Sequence, residues 1–180
     1  RSLTSQRLAF IFSNLGHFYI HLFTAFYAVI VLQLEREWQM SYEDLLRLWF
    51  WGSLMVGVMA LPAGRLGDWL TARVMMTVYF LGLGGASIAC GLVEGPLAMK
   101  VGLIALGVFA AIYHPIGIPW LIRNATQNTG KLLALNGIFG SIGTGGAGIV
   151  AGGLIALYGW RAAFVLPGIL CVLTGLGMLY

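Results

Sequence analysis

Gly64-Arg-Leu-Gly-Asp-Trp-Leu-Thr-Ala-Arg73 gathers two arginines, an aspartate and two glycines between stretches of lipid-like polarity, Leu45 to Pro62 before it and Val74 to Val93 after it. Apolar runs of about 20 residues are what a hydrocarbon layer of about 30 Å requires of a helix that crosses it. A short charged joint between two such runs therefore reads as the turn of a membrane hairpin. Working outward, the same alternation recurs along the chain and predicts six spans: 8–34, 45–62, 74–93, 97–122, 132–158 and 162–180. The first run is too long for a signal-peptide core and is followed by five more, so it reads as a retained helix.

Composition agrees with this all-α integral membrane reading. Hydrophobic residues make up 59% of the 180 residues and charged ones 9%, against about 25% charged in soluble domains. We expect one six-helix domain over residues 1–180. The chain opens without Met and closes inside an apolar run at Leu179 and Tyr180, from which we expect a longer protein. The net charge of +4 is scattered among the joints, with no basic block of the kind that binds nucleic acid. Cys90 and Cys171 stand singly in apolar runs and read as small core residues.

The cations sort by side. Arg1, Arg7, Arg65, Arg73, Arg123 and Lys131 fall with the N-terminus, Arg36, Arg47, Lys100 and Arg161 opposite. Of the acids, Asp68 shares the first side, while Glu35, Glu37, Glu43, Asp44 and Glu94 lie on the other. The positive-inside tendency predicts a cytoplasmic N-terminus and cytoplasmic second and fourth joints.

Two readings of the opening stretch follow. On general grounds, Gly64 and Gly67 allow a tight turn, and Asp68 can sit at a helix N-terminus or pair with Arg73. Beyond that, Gly-x-Leu-x-Asp ending in a basic residue, between the second and third of six helices, resembles the signature loop of the major facilitator superfamily. The phrase Gly159-Trp-Arg-Ala-Ala-Phe164 opening the sixth span resembles the N-terminal half of that fold. The resemblance implies a secondary transporter of a small solute or ion in a bacterial inner membrane, with a second six-helix half on the same chain or another subunit. It also implies a conformational latch at Gly64, Gly67, Asp68 and Arg73. Trp69, Thr71 and Ala72 depart from the family pattern, which usually has a basic residue, Gly and another basic residue there.

The fifth span holds rows of small residues at four-residue spacing, Gly140, Thr144, Gly148 and Gly152 beside Gly137, Ser141 and Gly145. Such rows let helix backbones approach closely in lipid, so Gly140, Gly148 and Gly152 are predicted packing positions. The run resembles the glycine-rich fifth helix of drug exporters in the superfamily, with Ala147 where their motif carries proline.

Ionisable groups inside a membrane are costly and mark function by default. Asn14, His17, His21 and Thr24 recur at three- and four-residue intervals and share one face of the first helix. His114 lies in Tyr113-His-Pro115 of the fourth span, flanked by Pro115 and Pro119, which are expected to loosen that helix. At 1.5 Å per residue, His17 stands about 15 Å above Arg7 and His114 about 13 Å above Arg123, so the three histidines reach similar depth. Three roles stay open for them: neutral rings bonded to Asn14 or Asn136, a substrate or proton pathway through Asn14, His17, His21, His114 and Asn136, or a transition-metal site at His17, His21 and His114. In the superfamily the first and fourth helices line the central cavity, which is what the resemblance implies here. His17 with Tyr113-His-Pro115 and a later arginine resembles the fosmidomycin-resistance type of exporter, which implies efflux and possible proton coupling. Ile20 and His21 replace that type's Asn-Asp pair, and Ile116 its glutamate. No nucleophile–base pair, closed metal motif, phosphate loop or cofactor motif marks an enzyme. A transport-incompetent assembly module, docking through the glycine-rich span, is the alternative from another class.

Overall fold

The computed structural model describes residues 3–126 and 128–179. Arg1, assigned above to the N-terminal side, and Tyr180, the expected end of the last span, lie outside the described residues. Eight helical segments build six crossings: α1 (Leu3–Trp38), α2 (Tyr42–Val58) continued by α3 (Ala60–Trp69), α4 (Ala72–Leu92), α5 (Pro96–Ala110) continued by α6 (Tyr113–Asn124), α7 (Thr129–Tyr158) and α8 (Trp160–Gly177). Each crossing is long and apolar enough to span a bilayer, and no strand occurs among the described residues. The fold is all-α.

Local chemistry sets the ends and breaks. The Ser41 hydroxyl accepts from the Asp44 amide at 3.1 Å and starts α2, and Thr71 does the same for α4 through Val74 at 3.3 Å; each satisfies an amide that has no helical partner. Gly159 lies at φ +85°, where a side chain would be strained, and turns the chain from α7 into α8. The two mid-span breaks sit upstream of prolines. Pro62 and Pro115 supply no amide hydrogen and crowd the carbonyl four residues back, at Val58 and Ala111, and the helices are interrupted at Met59 and at Ala111–Ile112.

The opening stretch corrects one expectation. Gly64 and Gly67 are not in a turn: both lie inside α3, and the chain turns afterwards, at Leu70 and Thr71. Their small size lets α3 lie against α6. A Cβ on Gly64 would stand 3.7 Å from Pro115 Cβ, and one on Gly67 would run into Ile116.

Helices pair as α1 with α7, α4 with α8, and α2 with α5, with α6 against α1. Tyr27, Tyr79, Tyr113, Phe23, Phe26, Phe80 and Phe164 fill the shared core. Buried hydroxyls tie neighbouring crossings through backbone carbonyls: Tyr79 to Gly16 at 2.7 Å, Ser87 to Phe164 at 2.7 Å and Tyr27 to Leu45 at 3.0 Å. Gly84 and Gly168 allow α4 and α8 to touch backbone to backbone, since a Cβ on either would come within 2.8 Å of the other's carbonyl oxygen. Cys90 and Cys171 are buried free thiols. The most apolar window is only 11% buried in the α2–α3 crossing and 22% in α7, against 39–56% in the other four. Those two crossings have open faces within this chain.

The two ends are tied differently. At one, the Ser5 hydroxyl donates to Asn124 Oδ1 at 3.1 Å and Arg73 Nε to the Met178 carbonyl at 2.7 Å. At the other, Trp160 Nε1 donates to Glu37 at 2.7 Å, while Arg161 bonds the Val93 carbonyl at 2.9 Å and covers the Trp160 ring.

Candidate functional site

The helical stripe on α1 and the broken α5–α6 crossing meet in the middle of the bundle. His17 stands at the centre. Its Nδ1 lies 2.7 Å from the Asn136 carbonyl oxygen; a carbonyl can only accept, so Nδ1 carries the hydrogen and Nε2 keeps its lone pair. The ring stacks on Tyr113 with centroids 5.1 Å apart and planes 19° apart. His21 Nε2 is 3.1 Å from His17 Nε2 and donates to it. His114 closes the group, its ring 5.5 Å from His17 and 5.9 Å from His21, centroid to centroid. His17 and His21 are partly buried and His114 is exposed.

The break at Ala111–Ile112 and the small residues of α7 make this meeting possible. His114 sits in the first turn of α6, beside the loosened joint. Across from α1, a Cβ on Gly140 would come within 2.9 Å of the His17 ring and 3.0 Å of His21. A glycine at 140 is what leaves room for both imidazoles.

Below the histidines lies a buried amide network. Asn136 Nδ2 reaches Asn14 Oδ1 at 3.0 Å, the Tyr113 hydroxyl at 3.0 Å and the Ser13 carbonyl at 3.2 Å. Tyr113 donates to the Ser13 carbonyl at 2.8 Å, and the Ser13 hydroxyl to the Gly117 carbonyl at 2.9 Å. Asn14 Nδ2 is buried and has no partner among the described residues. An unmatched donor in an apolar interior costs about 1–3 kcal/mol. A recess of about 290 Å³ opens beside the histidines, lined by Ile20, His21, Thr24, Trp49, Ser53 and His114 among others.

The residues expected on the pathway, Asn14, His17, His21, His114 and Asn136, are thus brought together. Ser13 and Tyr113 belong with them and were not singled out from the sequence. Ser13 is four residues before His17, on the same helical face, which is the signal that could have found it. The latch residues are not brought together as anticipated. Asp68 is exposed in the last turn of α3, and among the described residues no ion pair joins it to Arg73. Arg73 donates instead to the Met178 carbonyl just past α8, among the carbonyls that lack helical partners at a helix end. Of the small-residue row, Gly140 packs on α1, while a Cβ on Gly148 or Gly152 would meet nothing within 4 Å among the described residues. Arg47 bonds Glu43 at 2.6 Å and Asp44 at 3.3 Å on the exposed surface, away from the histidines.

Six long apolar crossings, with a polar cluster gathered between α1, α6 and α7, define an integral membrane protein. The chain matches the Major Facilitator Superfamily over residues 13–180 and belongs to that family. It is 31% identical over 128 residues to the puromycin resistance protein pur8 of Streptomyces alboniger, an alignment covering 69% of this chain and 25% of that protein. The chain therefore aligns with about a quarter of that relative's length.

Proposed function

We propose that this chain is the N-terminal six-helix half of a transporter that moves a small solute or ion by alternating access, with the cluster of Asn14, His17, His21, His114 and Asn136 on the path. The observation that carries the reading is the convergence of three imidazoles and two amides from α1, α6 and α7 beside an open recess. Polar side chains are retained at such depth where they face a cavity or one another, and transport sites of this kind lie near the midplane at the interface of two repeats.

The sparse burial of the α2–α3 crossing and of α7 supports a second half, from the same chain or another subunit, docking across those faces. Gly148 and Gly152 would serve it there. Exposed Asp68 would be held by a partner group in one state of the cycle. The relative's name supports export from a bacterial cell, as does the resemblance to the fosmidomycin-resistance type, and the cation bias between the two sides supports an N-terminus on the inside.

The test is solute flux in proteoliposomes carrying the full-length protein and its His17→Ala and His114→Ala variants. Loss of flux with intact folding is expected. Flux equal to the parent's in both variants would remove the cluster from the path, and flux indifferent to an imposed pH gradient would remove proton coupling.

A further inference from the structure

We propose that His17, His21 and His114 form a three-imidazole binding site for a divalent transition-metal ion of the zinc, cobalt and nickel class. One ligand nitrogen from each ring can be chosen so that all three lie within 4.8 Å of one another. The closest pair, His17 Nε2 and His21 Nε2, is 3.1 Å apart. Two nitrogens held at about 2.0–2.1 Å by a tetrahedral ion are about 3.3 Å apart. The i, i+4 pair on α1 therefore already stands at chelating separation, and His114, exposed on the recess, offers the third nitrogen within the same 4.8 Å.

The surroundings of His17 are those of a metal ligand. Its Nδ1–H is committed to the Asn136 carbonyl at 2.7 Å, and its plane is fixed by stacking on Tyr113. A second bond of this kind sets the tautomer and aims the other nitrogen's lone pair at the ion. For His21 to ligate through Nε2, its ring hydrogen would move to Nδ1, leaving both Nε2 lone pairs to the ion.

Donor chemistry sets the class of ion. Hard cations such as Mg²⁺ and Ca²⁺ require oxygen ligands, whereas imidazole suits zinc, copper, nickel and cobalt. The chain's acids, Glu35, Glu37, Glu43, Asp44, Asp68 and Glu94, all lie at or beyond the ends of the crossings. A site of three neutral imidazoles leaves a fourth position open toward the recess of about 290 Å³, as in metal sites that exchange a ligand. Binding at equilibrium does not depend on the transport reading.

The experiment is a Co²⁺ titration of the full-length protein, purified without a polyhistidine tag, followed by visible ligand-field absorption. The expected result is one saturable band per chain, abolished by Zn²⁺ and untouched by excess Mg²⁺. Losing an outer-shell partner already weakens metal sites about 10–100-fold, so His114→Ala and His21→Ala are each expected to weaken Co²⁺ binding at least about tenfold. His114 is exposed, so His114→Ala leaves the core packing in place, and monodispersity with an unchanged helical signal verifies it. Co²⁺ binding of equal strength in the parent, His114→Ala and His21→Ala proteins, or no saturable band in the parent, would overturn the proposal.

Discussion

At the scale of single residues, Asn136 ties the centre of the molecule together. Its amide nitrogen serves Asn14, Tyr113 and the Ser13 carbonyl, and it is itself buried. Asn136→Ala would leave Asn14 Oδ1 without its donor beside an Asn14 Nδ2 that already lacks a partner among the described residues. Unsatisfied buried groups cost about 1–3 kcal/mol each, so a loss of about 2–3 kcal/mol is expected. Tyr113→Phe removes one hydroxyl and keeps the ring stacked on His17; side-chain hydrogen bonds between membrane helices average about 0.6 kcal/mol, so its loss should be the smaller. Thermal unfolding of the two purified full-length variants checks the order. A midpoint lowered more by Tyr113→Phe than by Asn136→Ala would place the weight of the network on the phenol.

Residues also show where a sequence is legible. The face of α1 that carries Asn14, His17 and His21 follows from helical periodicity alone, and the depth of His114 from its distance to Arg123. Neither the carbonyl that fixes His17 nor the stacking of Tyr113 could be read, because both depend on the rotation of α7 and α6 about their own axes. A membrane helix that is apolar on every side gives no periodic signal for that rotation. The same blindness explains Gly64 and Gly67. Glycine reads as a turn residue along a sequence, while in α3 it serves as a shallow surface against Pro115 and Ile116.

At the scale of elements, α7 separates two uses of glycine. Gly143 faces α1 closely enough that a Cβ would collide with the Phe18 carbonyl oxygen, whereas one on Gly148 would meet nothing within 4 Å among the described residues. Alanine favours helix over glycine by about 1 kcal/mol, and overpacking costs about 1–3 kcal/mol. Gly143→Ala should therefore destabilise, since the atom met is backbone and cannot swing away. Gly148→Ala should leave thermal stability unchanged or raise it unless a partner covers that face, in which case it joins Gly143→Ala. Comparing the two variants by thermal unfolding of the full-length protein reads the cover on α7 directly. At this scale the loosening of the fourth crossing beside Pro115 was legible, because proline acts through its own geometry; the break at Met59 was not, since the second span was expected to end at Pro62, and Pro119 and Pro167 lie inside unbroken helices.

At the scale of the whole molecule, the internal ties fix which joints share an end. Ser5 meets Asn124, and Ser5, Thr71, Arg73 and Asn124 line one recess, so the N-terminus, the α3–α4 turn and the α6–α7 joint lie together. Glu37 meets Trp160, and Arg161 meets Val93, so the α1–α2, α4–α5 and α7–α8 joints lie together at the opposite end. Lys131 and Glu94 are exposed representatives of the two ends. Cys90 and Cys171 are buried and should not compete for a water-borne reagent. Cysteines placed singly at 131 and 94, in full-length protein otherwise stripped of reactive thiols, should therefore label from opposite sides of sealed cells with a membrane-impermeant maleimide. The cation bias predicts that Glu94→Cys labels from outside and Lys131→Cys only after the membrane is opened. Labelling of both from one side would contradict the six-crossing arrangement, and the reverse assignment would keep the bundle while inverting its orientation.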